Sequence, residues 1–164
     1  MRKSIAVACV CIALSLVALA AAYAQQPSET AIENAISWAE SLVGQASFPF
    51  VNGVGSCPSA NWCTEFVSNA YGSVAADFNA YTLWCLSDKH PGDWNAPRGS
   101  LVFFDRTADT GVWGHVALCT GDGNVIQAGY SRIKKGTIRW ENVAPYLGWA
   151  WPPSYWPGRS GNSP

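Results

Sequence analysis

Residues 113–129 read WGHVALCTGDGNVIQAG, and their reading decides the fold. Two apolar runs, HVALC (115–119) and NVIQA (124–128), flank a Gly-Asp-Gly cluster, the pattern of two antiparallel strands joined by a tight turn. The length of the loop decides which side chains share a face. If Asp122 and Gly123 alone formed the loop, His115 would pair with Tyr130 and Gln127 would turn to the opposite face. A three-residue loop, Gly121-Asp122-Gly123 with Gly123 left-handed, pairs His115 with Gly129 and Ala117 with Gln127. His115 and Gln127 then become diagonal neighbours on one face. The glycine in third place favours this second arrangement; the alternative leaves Gln127 as an ordinary half-buried strand residue.

Outward from the hairpin the strand period continues. SLVFF (100–104), GTIRW (136–140) and YLGWAW (146–151) are short β-branched or aromatic runs between turn residues. The N-terminal half has a helical period instead. Thr30 and Glu33 make a capping box, Ile32, Ala35, Ala39 and Leu42 form one apolar stripe, and Gly44 stops the helix. A Gly/Ser/Pro-rich loop over 45–60 leads to Asn61, the expected cap of a second helix whose Phe66, Val67 and Ala70 face inward before Gly72. A third helix is expected over about 74–87, with Val74, Phe78, Tyr81 and Cys85 on one face, followed by the loop SDKHPGDWNAPRG. Helices first and antiparallel strands afterwards predict an α+β fold, with the N-terminal helices packed on a central antiparallel sheet. From about residue 152 the Pro/Gly/Ser-rich tail is expected to be irregular, with Tyr155 and Trp156 available to dock on the domain.

The first residues stand apart from this pattern. Arg2 and Lys3 precede an uncharged apolar run (4–22), and the small-x-small triplet Ala22-Tyr23-Ala24 follows directly, so residues 1–24 read as an export leader. A membrane anchor is the alternative reading of the same run. Cleavage ahead of Gln25 leaves 140 of the 164 residues, one domain over 25–164, expected to be secreted (extracellular or periplasmic), soluble and monomeric. Losing Arg2 and Lys3 takes the formal charge from −1 to −3. An acidic chain without a basic cluster argues against nucleic acid or an anionic membrane as partner.

Cys9 and Cys11 leave with the leader, so four cysteines remain: Cys57, Cys63, Cys85 and Cys119. In an oxidising compartment an even count implies two disulfides, with three possible connectivities. Cys63 invites a second reading. It opens the helix of NWCTEFVSNAYG (61–72), and a thiol becomes a nucleophile when a helix N-terminus and a nearby imidazolium stabilise its thiolate. His115 is the candidate partner, because His90 lies in a loop between Lys89 and Pro91 and reads as solvated surface. No C-x-x-C spacing occurs and the Cys and His residues are scattered, so neither a zinc site nor any other cofactor is expected.

In order and spacing, NWCTEFVSNAYG, PRGSLVFFD, GHVALCTGDGNVIQAG and YLGWAWP resemble the NlpC-type and CHAP-type cell-wall hydrolases of the papain-like superfamily. The resemblance implies their fold, with Cys63 as nucleophile, His115 as base and Gln127 orienting the imidazole. It further implies a secreted cysteine hydrolase that cleaves an amide bond in peptidoglycan stem peptides, of D,L-endopeptidase type. An amidase at the sugar–peptide junction and a silent wall-binding module on the same fold are the alternatives. The chain departs from the NlpC pattern at four places. It has Trp62-Cys63-Thr64-Glu65 where Asp-Cys-Ser-Gly is usual, Phe50 where a tyrosine often stands, Ser100 in place of a strand-opening acid, and a neutral Gln127. With Cys63 as nucleophile at most one intramolecular bridge remains, and Cys57–Cys85 is the expected pair, Cys119 being a buried small hydrophobe. Trp62 and Trp113 adjoin the nucleophile and base and are expected, with Phe50, to wall a substrate cleft. Trp149 and Trp151 alternate on the last strand and should share one face.

Overall fold

The computed structural model describes residues 26–53, 55–59, 62–73, 79–139 and 144–160. Residues 1–24, expected to be an export leader, and Asn61, Val74 and Phe78 lie outside them. Helix α1 (Glu29–Ser41) comes first, then a hairpin of β1 (Ser47–Pro49) and β2 (Ser56–Pro58). Helices α2 (Cys63–Ala70) and α3 (Ala80–Leu86) follow. The remaining strands are β3 (Lys89–Pro91), β4 (Leu101–Phe104), β5 (His115–Gly121), β6 (Asn124–Ala128), β7 (Ile133–Thr137) and β8 (Tyr146–Ala150), and a 3-10 turn (Pro157–Ser160) closes the described chain. The architecture is the α+β arrangement expected: a six-stranded antiparallel sheet, ordered β3-β8-β4-β5-β6-β7, with the helices on one face.

Alternation along the strands splits the core in two. Val116, Leu118, Ile126 and Ala128 point to the helices, where Ile32, Ala35, Phe48, Phe66 and Val67 meet them. Val102, Phe104, Ala117, Cys119 and Val125 point the other way and pack with Trp149, Ile138 and Ala144. Trp149 and Trp151 do share a face, in edge contact with centroids 5.4 Å apart. Of the tail aromatics Trp156 docks, 4% exposed beside Tyr71, while Tyr155 stays 68% exposed.

Several local expectations are corrected. Helix α1 is capped by Ser28, whose hydroxyl accepts from the Ala31 N–H, while Glu33 leaves the backbone for a two-pronged contact with Arg98 at 2.6 and 2.9 Å. The 45–60 segment holds the β1–β2 hairpin, with Phe48 and Cys57 buried as a cross-strand pair. At α2 the cap position is Trp62, not Asn61. Helix α3 starts later than expected, because the Asn79 side chain accepts from the Thr82 N–H. It buries Ala80, Leu83 and Trp84 and turns Cys85 to solvent. His90 is exposed as expected but sits on edge strand β3, its ring stacked 3.7 Å from Trp149. Strand β7 begins at Ile133, earlier than the 136–140 run, because a short turn returns the chain and places Ile133, fully buried, across from Ala128.

The expected Cys57–Cys85 bridge is absent: Cys57, Cys63, Cys85 and Cys119 are all free thiols. Cys57 points into the core beneath the hairpin, whereas Cys85 lies on the solvent side of α3, so their side chains do not meet. Burial, with the Glu65 carboxylate nearby, pushes the Cys57 thiol up to about 11.

Candidate active site

The hairpin meets the register that brings His115 and Gln127 together, by a different device from the one expected. Asp122 and Gly123 both have positive φ, 51° and 72°, and form a two-residue turn between Gly121 and Asn124. That turn alone would have sent Gln127 to the wrong face. A bulge between Cys119 and Gly121 absorbs one residue of β5, after which Leu118 pairs with Ile126. That register puts Gln127 on the same face of the hairpin as Ala117 and His115. The His115 Nε2 and Gln127 Oε1 atoms lie 2.7 Å apart in a buried contact. An amide oxygen only accepts, so with this amide orientation Nε2 carries the proton and Nδ1 is left with its lone pair.

Helix α2 delivers Cys63 to that ring. Its N-terminus abuts the start of β5, and the sulfur interacts with the His115 side chain, the Val116 backbone N–H and the Thr64 hydroxyl. Because Nε2 is taken by Gln127, Nδ1 is the nitrogen available to the sulfur. Burial alone would push the Cys63 thiol up. The charge of His115, its hydrogen bond, and those from Val116 and Thr64 outweigh burial and bring it below the ordinary thiol range. Cys63 and His115 each retain about a tenth of their surface, and Gln127 lies deeper, 2% exposed.

Trp62 and Trp113, 45% and 60% exposed, stand one and two residues before Cys63 and His115. The Trp113 carbonyl accepts from the Tyr81 N–H at 2.9 Å, which ties α3 to the loop before β5. Phe50 is half-buried and packs against the helix-side core, so its ring supports the loop more than it lines a cleft. Sequence reasoning missed the buried polar network behind α2. The Asn69 amide donates to the Glu65 carboxylate and main-chain carbonyl, both at 2.9 Å, and its oxygen accepts from the Val51 N–H at 2.6 Å. The visible signal was a Glu and an Asn four apart, on one face of the same short helix.

No protein-family profile matches this sequence, and no curated protein matches it. Solved structures do. RipB, a peptidoglycan hydrolase of Mycobacterium tuberculosis, superposes with a TM-score of 0.50 at 20% identity over 72% of this chain and 63% of its own. RipD of the same organism, described as a non-catalytic NlpC/p60 domain protein adapted to peptidoglycan binding, gives 0.50 at 17% identity over 72% and 95%. An NlpC/P60 family protein of Bacillus cereus gives 0.52 at 17% identity over 76% and 40%. The chain thus spans less than two thirds of RipB and less than half of the Bacillus protein. At such identities the agreement concerns architecture, and the architecture is that of the NlpC/p60 domain.

Proposed function

We propose that this protein is a secreted cysteine hydrolase of NlpC/p60 type that cleaves an amide bond in the peptide stems of bacterial peptidoglycan. The observation that carries the reading is the buried His115–Gln127 contact at 2.7 Å, on a ring whose second nitrogen faces a thiol held below its ordinary range. A protein that only packed these residues would have no need to hold one imidazole between an amide oxygen and a sulfur.

In the proposed mechanism the Cys63 thiolate adds to the scissile carbonyl carbon, and the carbonyl electron pair moves to oxygen. The Cys63 N–H, unpaired within the first turn of α2, donates to that oxyanion. His115, protonated at Nδ1, gives its proton to the departing amine as the C–N bond breaks, leaving a thioester on Cys63. The same nitrogen then takes a proton from water, which attacks the thioester and frees the acid and the thiol. Gln127 keeps Nε2 protonated throughout and so holds the productive tautomer. Being neutral, it orients the imidazolium without stabilising it by charge.

Digestion of purified peptidoglycan by the wild type and by Cys63→Ala, read by mass spectrometry, tests the reading. Fragments released only by the wild type support it, and their masses assign the bond: a D-glutamyl–diamino acid bond for an endopeptidase, the sugar–peptide junction for an amidase. The likeness to RipD favours a second reading, a peptidoglycan-binding domain without catalysis. Its mark is co-sedimentation with peptidoglycan that survives Cys63→Ala, with no fragments from either protein.

A further inference from the structure

The segment that follows β8 forms one wall of a cavity of about 690 Å³, lined by Leu83, Leu86, Trp151, Pro153, Tyr155 and Arg159. None of Cys63, His115 and Gln127 borders it. Its size and its mostly apolar lining are those of a small-molecule site. Leu86 and Tyr155, 67% and 68% exposed, leave large apolar surfaces open along it. The walls are fixed in advance. Pro152 and Pro153 have locked φ angles, and Trp156 docks beside Tyr71. The 3-10 turn holds the Arg159 backbone on both sides: its N–H donates to the Trp156 carbonyl at 3.1 Å, and its carbonyl accepts from the Ser28 N–H at 3.2 Å.

The Arg159 side chain is the polar exception in this lining. It is half-buried, and its Nη2 is withdrawn from solvent with no hydrogen-bond partner. Among the described residues no carboxylate lies within ion-pair distance of it. Glu29, which borders the adjoining hollow together with Arg159, is engaged by Arg98 at 3.7 Å. Asp88 is the acid that borders the main cavity, and it is exposed to solvent. A guanidinium drawn partly out of water without an anion leaves its desolvation uncompensated, and its planar fork of donors matches a carboxylate.

We propose that this cavity binds an amphipathic carboxylate, with its apolar body between α3 and the Trp151–Tyr155 segment and its carboxylate on the Arg159 guanidinium. Asp88 at the rim disfavours a second negative charge, so the ligand is a monoanion. The site is separate from the Cys63–His115 pair and independent of the hydrolase reading.

The test is calorimetric titration of the full mature chain with decanoate and with decanamide, each below the concentration at which it self-associates. Decanoate is expected to bind about tenfold more tightly than decanamide. Arg159→Gln should bring decanoate down to the affinity of the amide, while Arg159→Lys keeps part of the preference. Leu86→Gln, at an exposed position, should weaken both ligands several-fold alike, and it keeps the test open should a change at 159 disturb folding. Decanoate should raise the melting temperature of the wild type and not that of Arg159→Gln. Cys63→Ala should bind decanoate as the wild type does. Equal affinity for acid and amide, a preference that survives Arg159→Gln, no effect of Leu86→Gln, loss of binding in Cys63→Ala, or no binding of either ligand overturns the proposal.

Discussion

Helices α2 and α3 are nearly the same length, eight and seven residues, and each carries a cysteine, yet they are built in opposite ways. Every residue of α2 is buried, including Thr64, Glu65, Ser68 and Asn69, whereas α3 buries Ala80, Leu83 and Trp84 and exposes the rest of its C-terminal turn. A helix hidden on all sides must satisfy its polar groups internally. The Ser68 hydroxyl does so on the Glu65 carbonyl at 3.0 Å, and Asn69 does so between Glu65 and Val51. The result is the Cys63 thiol at the end of a rod clamped between the sheet, α1 and the β1–β2 hairpin. Cys85, by contrast, rides on a rim helix where an exposed Lys89 ammonium reaches its carbonyl. The difference teaches that a lowered thiol is a property of the frame around it, since both helices present the same functional group.

The strongest way to break the comparison is to remove the two thiols in turn. Cys63→Ala should lower fragment release from peptidoglycan by at least ~10⁴-fold, while Cys85→Ala leaves it unchanged. Comparable losses from both would mean that the frame does not discriminate. Gln127→Ala should lower kcat by about 10²-fold with little change in KM, because the imidazole loses its tautomer and not its substrate; a purely KM effect would refute the orienting role. Asn69→Ala tests the clamp itself. It strips the Glu65 carboxylate and the Val51 N–H of a partner and should cost about 2–3 kcal/mol in a chemical denaturation curve, against a few tenths for an exposed change such as Leu86→Gln on α3.

Alkylation sharpens the contrast further. Cys63 should react with iodoacetamide at a pH below the ordinary thiol range, where its thiolate already forms, and Cys57 and Cys119 only after unfolding. Labelling of Cys57 in the native protein would contradict its burial. The smallest effect concerns stability against pH. Cys57 holds its proton more tightly folded than unfolded, so its contribution is complete below about pH 9 and fades as pH rises towards about 11. Cys57→Ala should flatten that alkaline limb of the melting temperature, and an unchanged limb would assign the loss to other groups.

What the amino-acid order determined by itself is everything carried by a strong period or a strong turn. The change from helical to strand-like spacing fixed the α+β class. The strand runs at 124–128 and 146–151 appeared where the pattern placed them, because β-branched and aromatic residues bounded by turn formers leave few alternatives. The pairing of Cys63 with His115 was readable because one cysteine opened a helix and one histidine opened a strand. The tertiary structure decided what depends on competition between neighbours. A three-residue turn, or a two-residue turn with a bulge, yields the same register, and the bulge between Cys119 and Gly121 is the route by which Gln127 reaches the face of His115. The cap of α1 went to Ser28 and freed Glu33 for Arg98, a partner 65 residues distant. The pattern HPG at 90–92 contains no strand signal, yet β3 forms because β8 offers an open edge and Trp149 a flat face for His90. Cysteine pairing belongs to the same class: an even count of thiols permits bridges, but the β1–β2 hairpin turns Cys57 inward and the orientation of α3 turns Cys85 outward. Local energies of a few tenths to one kcal/mol select elements, while burial and polar satisfaction, which are stronger and join residues far apart in sequence, choose among them.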